Sequence, residues 1–144
     1  MPPRLIRDVI KTQTILTMLP TASVHDAARA MQASRVGAVM ITERDKLVGI
    51  FTERDALFRV LAEGRNPETT LLSAAMTAAP ATITPDRRLS HALHLMHDGG
   101  FRHMPVVDND IPVGMVSIRD ALGAELANFE REIEAKADLS EILG

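Results

Sequence analysis

The chain repeats itself. Val24–Leu57 overlies Leu89–Leu122 without a gap, and nine of the 34 positions are identical: Ala27/Ala92, Met31/Met96, Asp45/Asp110, Val48/Val113, Gly49/Gly114, and then Arg-Asp-Ala-Leu in both. Like-for-like swaps such as Ile41/Val106 and Thr52/Ser117 support the register. With a one-residue slip the match continues upstream, Leu5–Ile10 onto Leu71–Met76, each followed by a Thr-Ile segment and a proline. The repeats therefore cover 4–62 and 70–129. The joint, 63–69, carries Gly64, Asn66 and Pro67, which stop helices, and 130–144 forms a C-terminal helical extension. A unit this small cannot bury its own sheet face, so the two copies are expected to pack on one another.

Within each copy the periodicities agree. Val24, Ala27, Ala28 and Met31 fall at i, i+3, i+4 and i+7, as do Leu89, Ala92, Leu93 and Met96, giving one apolar stripe on a helix. The stretches 36–42 and 101–107 read as short buried strands. Turns at 43–46 and 108–110 lead to the strands 47–52 and 113–117. A second helix starts after Thr52 and after Ser117. With the Thr-Ile segment as a strand, each copy is β-α-β-β-α, an α/β (α+β) fold of two repeats related by a pseudo-two-fold axis.

Composition narrows the function. A net charge of −3 with four Phe, no Trp and no Tyr suits neither phosphate neutralisation nor base stacking, so nucleic acid is not an expected partner. Without cysteine there is no disulfide or thiolate chemistry. The first twenty residues have scattered charges and no long apolar run, unlike a signal peptide or a membrane span. The expected location is the cytoplasm. No nucleophile–base constellation supports an enzyme.

The repeated phrase Gly-x-x-[Ser/Thr]-x-x-Asp, at 49–55 and 114–120, admits two readings. As structure, Thr52-x-x-Asp55 and Ser117-x-x-Asp120 are capping boxes, each worth ~1 kcal/mol. As a site, a helix N-terminus suits a phosphate, and a carboxylate one turn in can accept both hydroxyls of a ribose. Glycine at 49 and 114 permits close backbone approach or an unusual dihedral.

The element order, the phrase FRHMPVVDND at 101–110 and the two Gly-x-x-[Ser/Thr]-x-x-Asp segments resemble the tandem CBS-domain module, a regulatory nucleotide-binding pair. The likeness covers about nine-tenths of the chain and is that of a stand-alone bacterial protein. It implies that Thr52, Asp55, Ser117 and Asp120 serve the phosphate and ribose of an adenosine-containing ligand: AMP, ADP, ATP, NAD or S-adenosylmethionine. It also implies that Val36 and Gly37, and Phe101 and Arg102, begin strands whose backbone lines an adenine pocket flanked by Ile50 and Met115. Arg102, His103, Arg54 and Arg119 become candidates to meet phosphates. No catalytic cofactor is expected. The implied mechanism is a shift of populations read by a regulated protein partner. The alternative is a structural dimerisation module with empty clefts.

Two features stand outside that site. His91, His94 and His97 are spaced over the outer face of their helix, where no carboxylate or cysteine completes a metal set, and a wetted face is expected. Leu122, Leu126, Phe129 and Ile133 continue the last helix as a short seam, with Glu132 and Lys136 an i, i+4 pair. The seam is expected to meet a second chain in a flat homodimer, the other option being its own repeat.

Overall fold

The computed structural model describes residues 3–143. The first repeat contains α1 (Ile6–Ile10), β1 (Thr17–Met18), α2 (Val24–Ser34), β2 (Ala38–Glu43), β3 (Lys46–Thr52) and the short α3 (Glu53–Asp55), which runs into a π-helical segment, Ala56–Leu61. The second contains α4 (Leu72–Ala75), β4 (Thr77–Ala78), α5 (Leu89–Gly99), β5 (His103–Asp108), β6 (Ile111–Ser117) and a 3-10 turn, Ile118–Asp120. The long α6 (Gly123–Leu143) follows. Gly144, the last residue of the expected extension, lies outside the described residues.

Local chemistry accounts for the matched elements. The Ser23 hydroxyl accepts from the Asp26 N–H at the start of α2 (3.0 Å), and Val24, Ala27 and Met31 are its buried stripe. That helix ends on Arg35 at φ 54°, whose N–H reaches the Gln32 and Met31 carbonyls; α5 ends likewise on Gly100 at φ 72°. In both hairpins the two turn residues, Arg44-Asp45 and Asn109-Asp110, have positive φ, as a two-residue loop matching strand twist requires.

The leading helices are exchanged. Ile6 and Ile10 of α1 pack with Leu89, Leu93, Met96, Met104 and Val116 of the second repeat. Leu72 and Ala75 of α4 pack with Met31, Ile41, Phe51 and Val60 of the first. The repeated glycines are explained by this exchange. A Cβ on Gly114 would lie 2.6 Å from Ile10 Cγ2, and one on Gly49 would lie 2.5 Å from Met76 Sδ. Close approach, between helix and strand, is what these positions need.

Three expectations change. The Thr-Ile strand of the second copy is reduced to a single parallel bridge, Ile83 to Val106. Strand β4, just upstream, instead joins the first repeat's sheet, in the order β1-β2-β3-β4. On the other sheet Gln13 holds the corresponding place with its side chain, donating to the Met115 carbonyl (2.7 Å) and accepting from its N–H (3.0 Å).

The second helix of the second copy is also interrupted. After the 3-10 turn, Ala121 is extended (ψ 128°) and α6 starts afresh. The cause is Arg4, which donates to the Asp120 carbonyl (2.7 Å) and to both oxygens of Glu125 (2.7 and 3.1 Å). Glu125 in turn accepts from the Leu122 N–H (2.8 Å), capping the new helix.

Finally, α6 lies back on its own repeat. Phe129 packs against the second core and sits edge-on to the rings of His94 and His97. Glu132 pairs with His94 rather than with Lys136. The histidine face is therefore covered at His94 and wet at His91 and His97. Only the far end of α6 presents bare apolar side chains, Leu139, Ile142 and Leu143.

Candidate functional site

Where β3 and β6 approach each other, the exchange leaves a groove of three adjoining cavities. The first, about 770 Å³, is lined by Ile50, Thr52, Arg54 and Asp55 of the first repeat and by Phe101, Arg102 and His103 of the second. The third, about 390 Å³, mirrors it, with Met115, Ser117, Arg119 and Asp120 facing Val36 and Gly37. Between them lies a cavity of about 550 Å³ that takes in Gly37, Glu53, Arg102, His103, Ser117 and Arg119. Every candidate residue named from the sequence lines at least one of the three, and each end cleft draws on both repeats.

The two carboxylates differ. Asp55 is 7% exposed. Its Oδ2 accepts from the Thr52 N–H (3.0 Å) and hydroxyl (3.2 Å), and its Oδ1 from the Thr77 hydroxyl (3.2 Å), with Arg59 Nε at 3.4 Å. The π-helical segment carries Arg59, which also donates to the Met76 carbonyl (2.8 Å). Asp120 is half-buried, and only its Oδ2 is engaged, by the Ser117 N–H (2.7 Å) and hydroxyl (3.4 Å). Its Oδ1 has no hydrogen bond among the described residues. The cap reading holds in full for the first copy, where the Thr52 hydroxyl also accepts from the Asp55 N–H (3.2 Å); in the second the carboxylate reaches back to Ser117 over a 3-10 turn and one of its oxygens is spare.

The cations differ as well. Arg54 donates to the Gly100 carbonyl (3.2 Å), tying the loop before Phe101 to the first repeat. His103 is half-buried and lines all three cavities. Burial pushes its ring below the ordinary imidazole value of 6.5; Glu53 opposes this, while Arg119 and Arg102 add to it. The ring is therefore uncharged at neutral pH, and any charge it presents to a phosphate must be induced by that phosphate.

A stability consequence follows. Because the folded value lies under the unfolded one, the unfolded chain takes up this proton first as pH falls through ~6.5. Stability should decline in that window, from 6.5 down to the depressed folded value. In His103→Gln that part of the slope should vanish from urea midpoints measured between pH 5 and 7.5. An unaltered slope would remove His103 as its source.

A family model described as the CBS domain matches residues 6–62 and 72–127. The chain belongs to the CBS-domain family. It is a tandem CBS pair. It is 37% identical over 132 residues to the CBS domain-containing protein CBSCBSPB2 of Arabidopsis thaliana, covering 91% of this chain but 25% of that protein, so it spans about a quarter of that relative's length. Against the CBS domain-containing protein YhcV of Bacillus subtilis it is 31% identical, covering 85% of this chain and 86% of the relative. The fold matches the CBS domain protein PAE2072 from Pyrobaculum aerophilum, solved in complex with AMP, with a TM-score of 0.80 at 24% identity over 89% of this chain and 99% of that one.

Several lining residues of the CBS pair carry no signal in the sequence. Thr77, Pro80 and Ala81 complete the first cleft, and Gln13 to Leu16 the third, only because the leading segments cross over. Arg35, Glu53 and Arg59 belong to no motif.

Proposed function

We propose that this CBS pair is a non-catalytic cytoplasmic sensor whose clefts bind an adenosine-containing small molecule: AMP, ADP, ATP, NAD or S-adenosylmethionine. The observation that carries the reading is Asp120, a carboxylate fixed at one oxygen and free at the other. It faces a cavity with Ser117 on one side and the strand backbone after Val36 on the other. The AMP complex of the structurally similar archaeal protein is in keeping with it.

An occupant of either end cleft touches both repeats and so stiffens their arrangement, which is a population shift. Asp120 connects through the extended Ala121 to α6, and Arg4 grips both. A change at Asp120 therefore has a mechanical route to the last helix, where a regulated partner could read it.

The second reading, a dimerisation scaffold with empty clefts, is favoured by Asp55, whose carboxylate is already taken up by Thr52, Thr77 and Arg59. Thermal unfolding with each of the five ligands separates the two. A true ligand at a hundred times its dissociation constant should add ~2.7 kcal/mol of stability. A scaffold should give no shift with any of them.

Self-association is part of the proposal. Leu57, Phe58 and Leu61, on the helix after Thr52, are 49%, 58% and 73% exposed. Such a cluster fits an interface with a second copy. Leu57→Glu with Phe58→Glu should halve the sedimenting mass while barely changing the melting temperature. An unchanged mass would place any interface elsewhere.

A further inference from the structure

We infer that the two end clefts share one cationic cavity, so that nucleoside polyphosphates bound at the two clefts weaken one another; this rests on the adenosine-sensor reading. The middle cavity is bounded by three guanidiniums: Arg35 at the end of α2, Arg102 just before β5 and Arg119 in the 3-10 turn. Their side chains make no hydrogen bond or ion pair among the described residues. Among the described residues, the one carboxylate lining this cavity is Glu53. A Cβ on Gly37 would lie 3.2 Å from both the Glu53 carboxylate and His103 Nε2, so both groups crowd this glycine at the floor. Burial is the first cause of the depression at His103; Arg119 and Arg102 add to it against Glu53 and Asp120.

The sharing is explicit in the linings. Arg102 borders the first and middle cavities, Arg119 the middle and third, and His103 all three. The third cavity has Asp120 and Ser117 for a ribose, the first has the Thr52 hydroxyl beside an Asp55 already engaged, and each has its own apolar wall for a base. The cations that would hold a phosphate tail are common to both. A 550 Å³ space is roughly 8–10 Å across, comparable to the ~10 Å screening length at 0.1 M salt. A second polyphosphate therefore meets the charge of the first, with the cations already used. Adenosine, which has no tail, meets neither obstacle.

The test is a calorimetric titration of the whole chain with adenosine and with ATP, without added divalent cation, at about 0.05 M and about 0.5 M salt. The quantity read is the ratio of the first to the second binding constant. For adenosine it reflects the clefts' unlike side chains and does not move with salt. For ATP at low salt it is at least tenfold larger, and it closes towards the adenosine value at high salt. Arg35→Asn, which retains a residue tolerant of left-handed backbone, weakens ATP several-fold and leaves adenosine unchanged. The inference is overturned, with the sensor reading intact, by equal ratios at low salt, by a single site for both compounds, or by ATP affinity indifferent to Arg35→Asn. Binding of neither compound overturns this inference, and flat titrations with AMP, ADP, NAD and S-adenosylmethionine as well remove the sensor reading with it.

Discussion

Asp120→Asn should lower affinity for an adenosine ligand by tenfold to a hundredfold or more while leaving the unliganded melting temperature almost unmoved. Charge-assisted hydrogen bonds to the two hydroxyls of a ribose contribute roughly 1.5–3 kcal/mol each, and ~1.4 kcal/mol is a factor of ten. Asparagine keeps an acceptor for the Ser117 N–H, the bond that shapes the turn. Asp55→Asn should behave in the opposite way. Its carboxylate is buried against Thr52, Thr77 and Arg59. Losing the charge there removes the Arg59 ion pair and turns one acceptor of a buried group into a donor beside the Thr52 and Thr77 hydroxyls. A stability loss of ~1–3 kcal/mol is expected from such an unmatched buried group. Calorimetry for affinity and denaturant midpoints for stability read the two effects separately. If Asp120→Asn binds as wild type and only its stability falls, the repeated phrase is a helix cap in both copies.

Gly114→Ala should destabilise the fold by ~1–3 kcal/mol, the range for overpacking a filled core. The new Cβ would stand 2.6 Å from Cγ2 and 2.7 Å from Cβ of Ile10, a β-branched side chain with little freedom to turn away. Gly49→Ala should cost less. Its tightest neighbour is the Met76 sulfur at 2.5 Å, which flexible torsions can move, although the Thr77 carbonyl stays at 3.1 Å. Shortening the opposing side chain in Gly114→Ala with Ile10→Ala should recover part of the clash, so the two changes should be far from additive in a double-mutant cycle. Additive costs would mean that α1 does not cross β6 where the structure puts it.

The sequence made some of this legible for reasons that can be named. The stripes Val24-Ala27-Met31 and Leu89-Ala92-Leu93-Met96 are local and periodic, and both helices bury them. The twice-repeated motif makes Thr52, Asp55, Ser117 and Asp120 legible, the resemblance to the CBS module implies the other candidates, and all of them border the groove. The exchange of α1 and α4 was not reachable: a short amphipathic helix carries no mark of which of two similar sheets it will cover. Nor was the break before α6. Arg-Asp-Ala-Leu is identical in both copies, yet it continues as helix in one and stops in the other. The difference comes from Arg4, which captures the Asp120 carbonyl and bonds Glu125. Their counterparts in the other copy are Thr70 and Val60, which offer neither the reach nor the charge. The lowered proton affinity of His103 also needed the fold, since its first cause is burial between the repeats.

The central claim is that this CBS pair holds an adenosine ligand in a cleft built from both repeats, and calorimetric titration of the intact chain with AMP, ADP, ATP, NAD and S-adenosylmethionine tests it most directly. At least one should bind with saturating heat and a defined stoichiometry, and adenosine should compete for the same site. Asp120→Asn should reduce that heat at a fixed ligand concentration. Flat titrations for all five at millimolar concentration would contradict the claim and leave the scaffold reading standing.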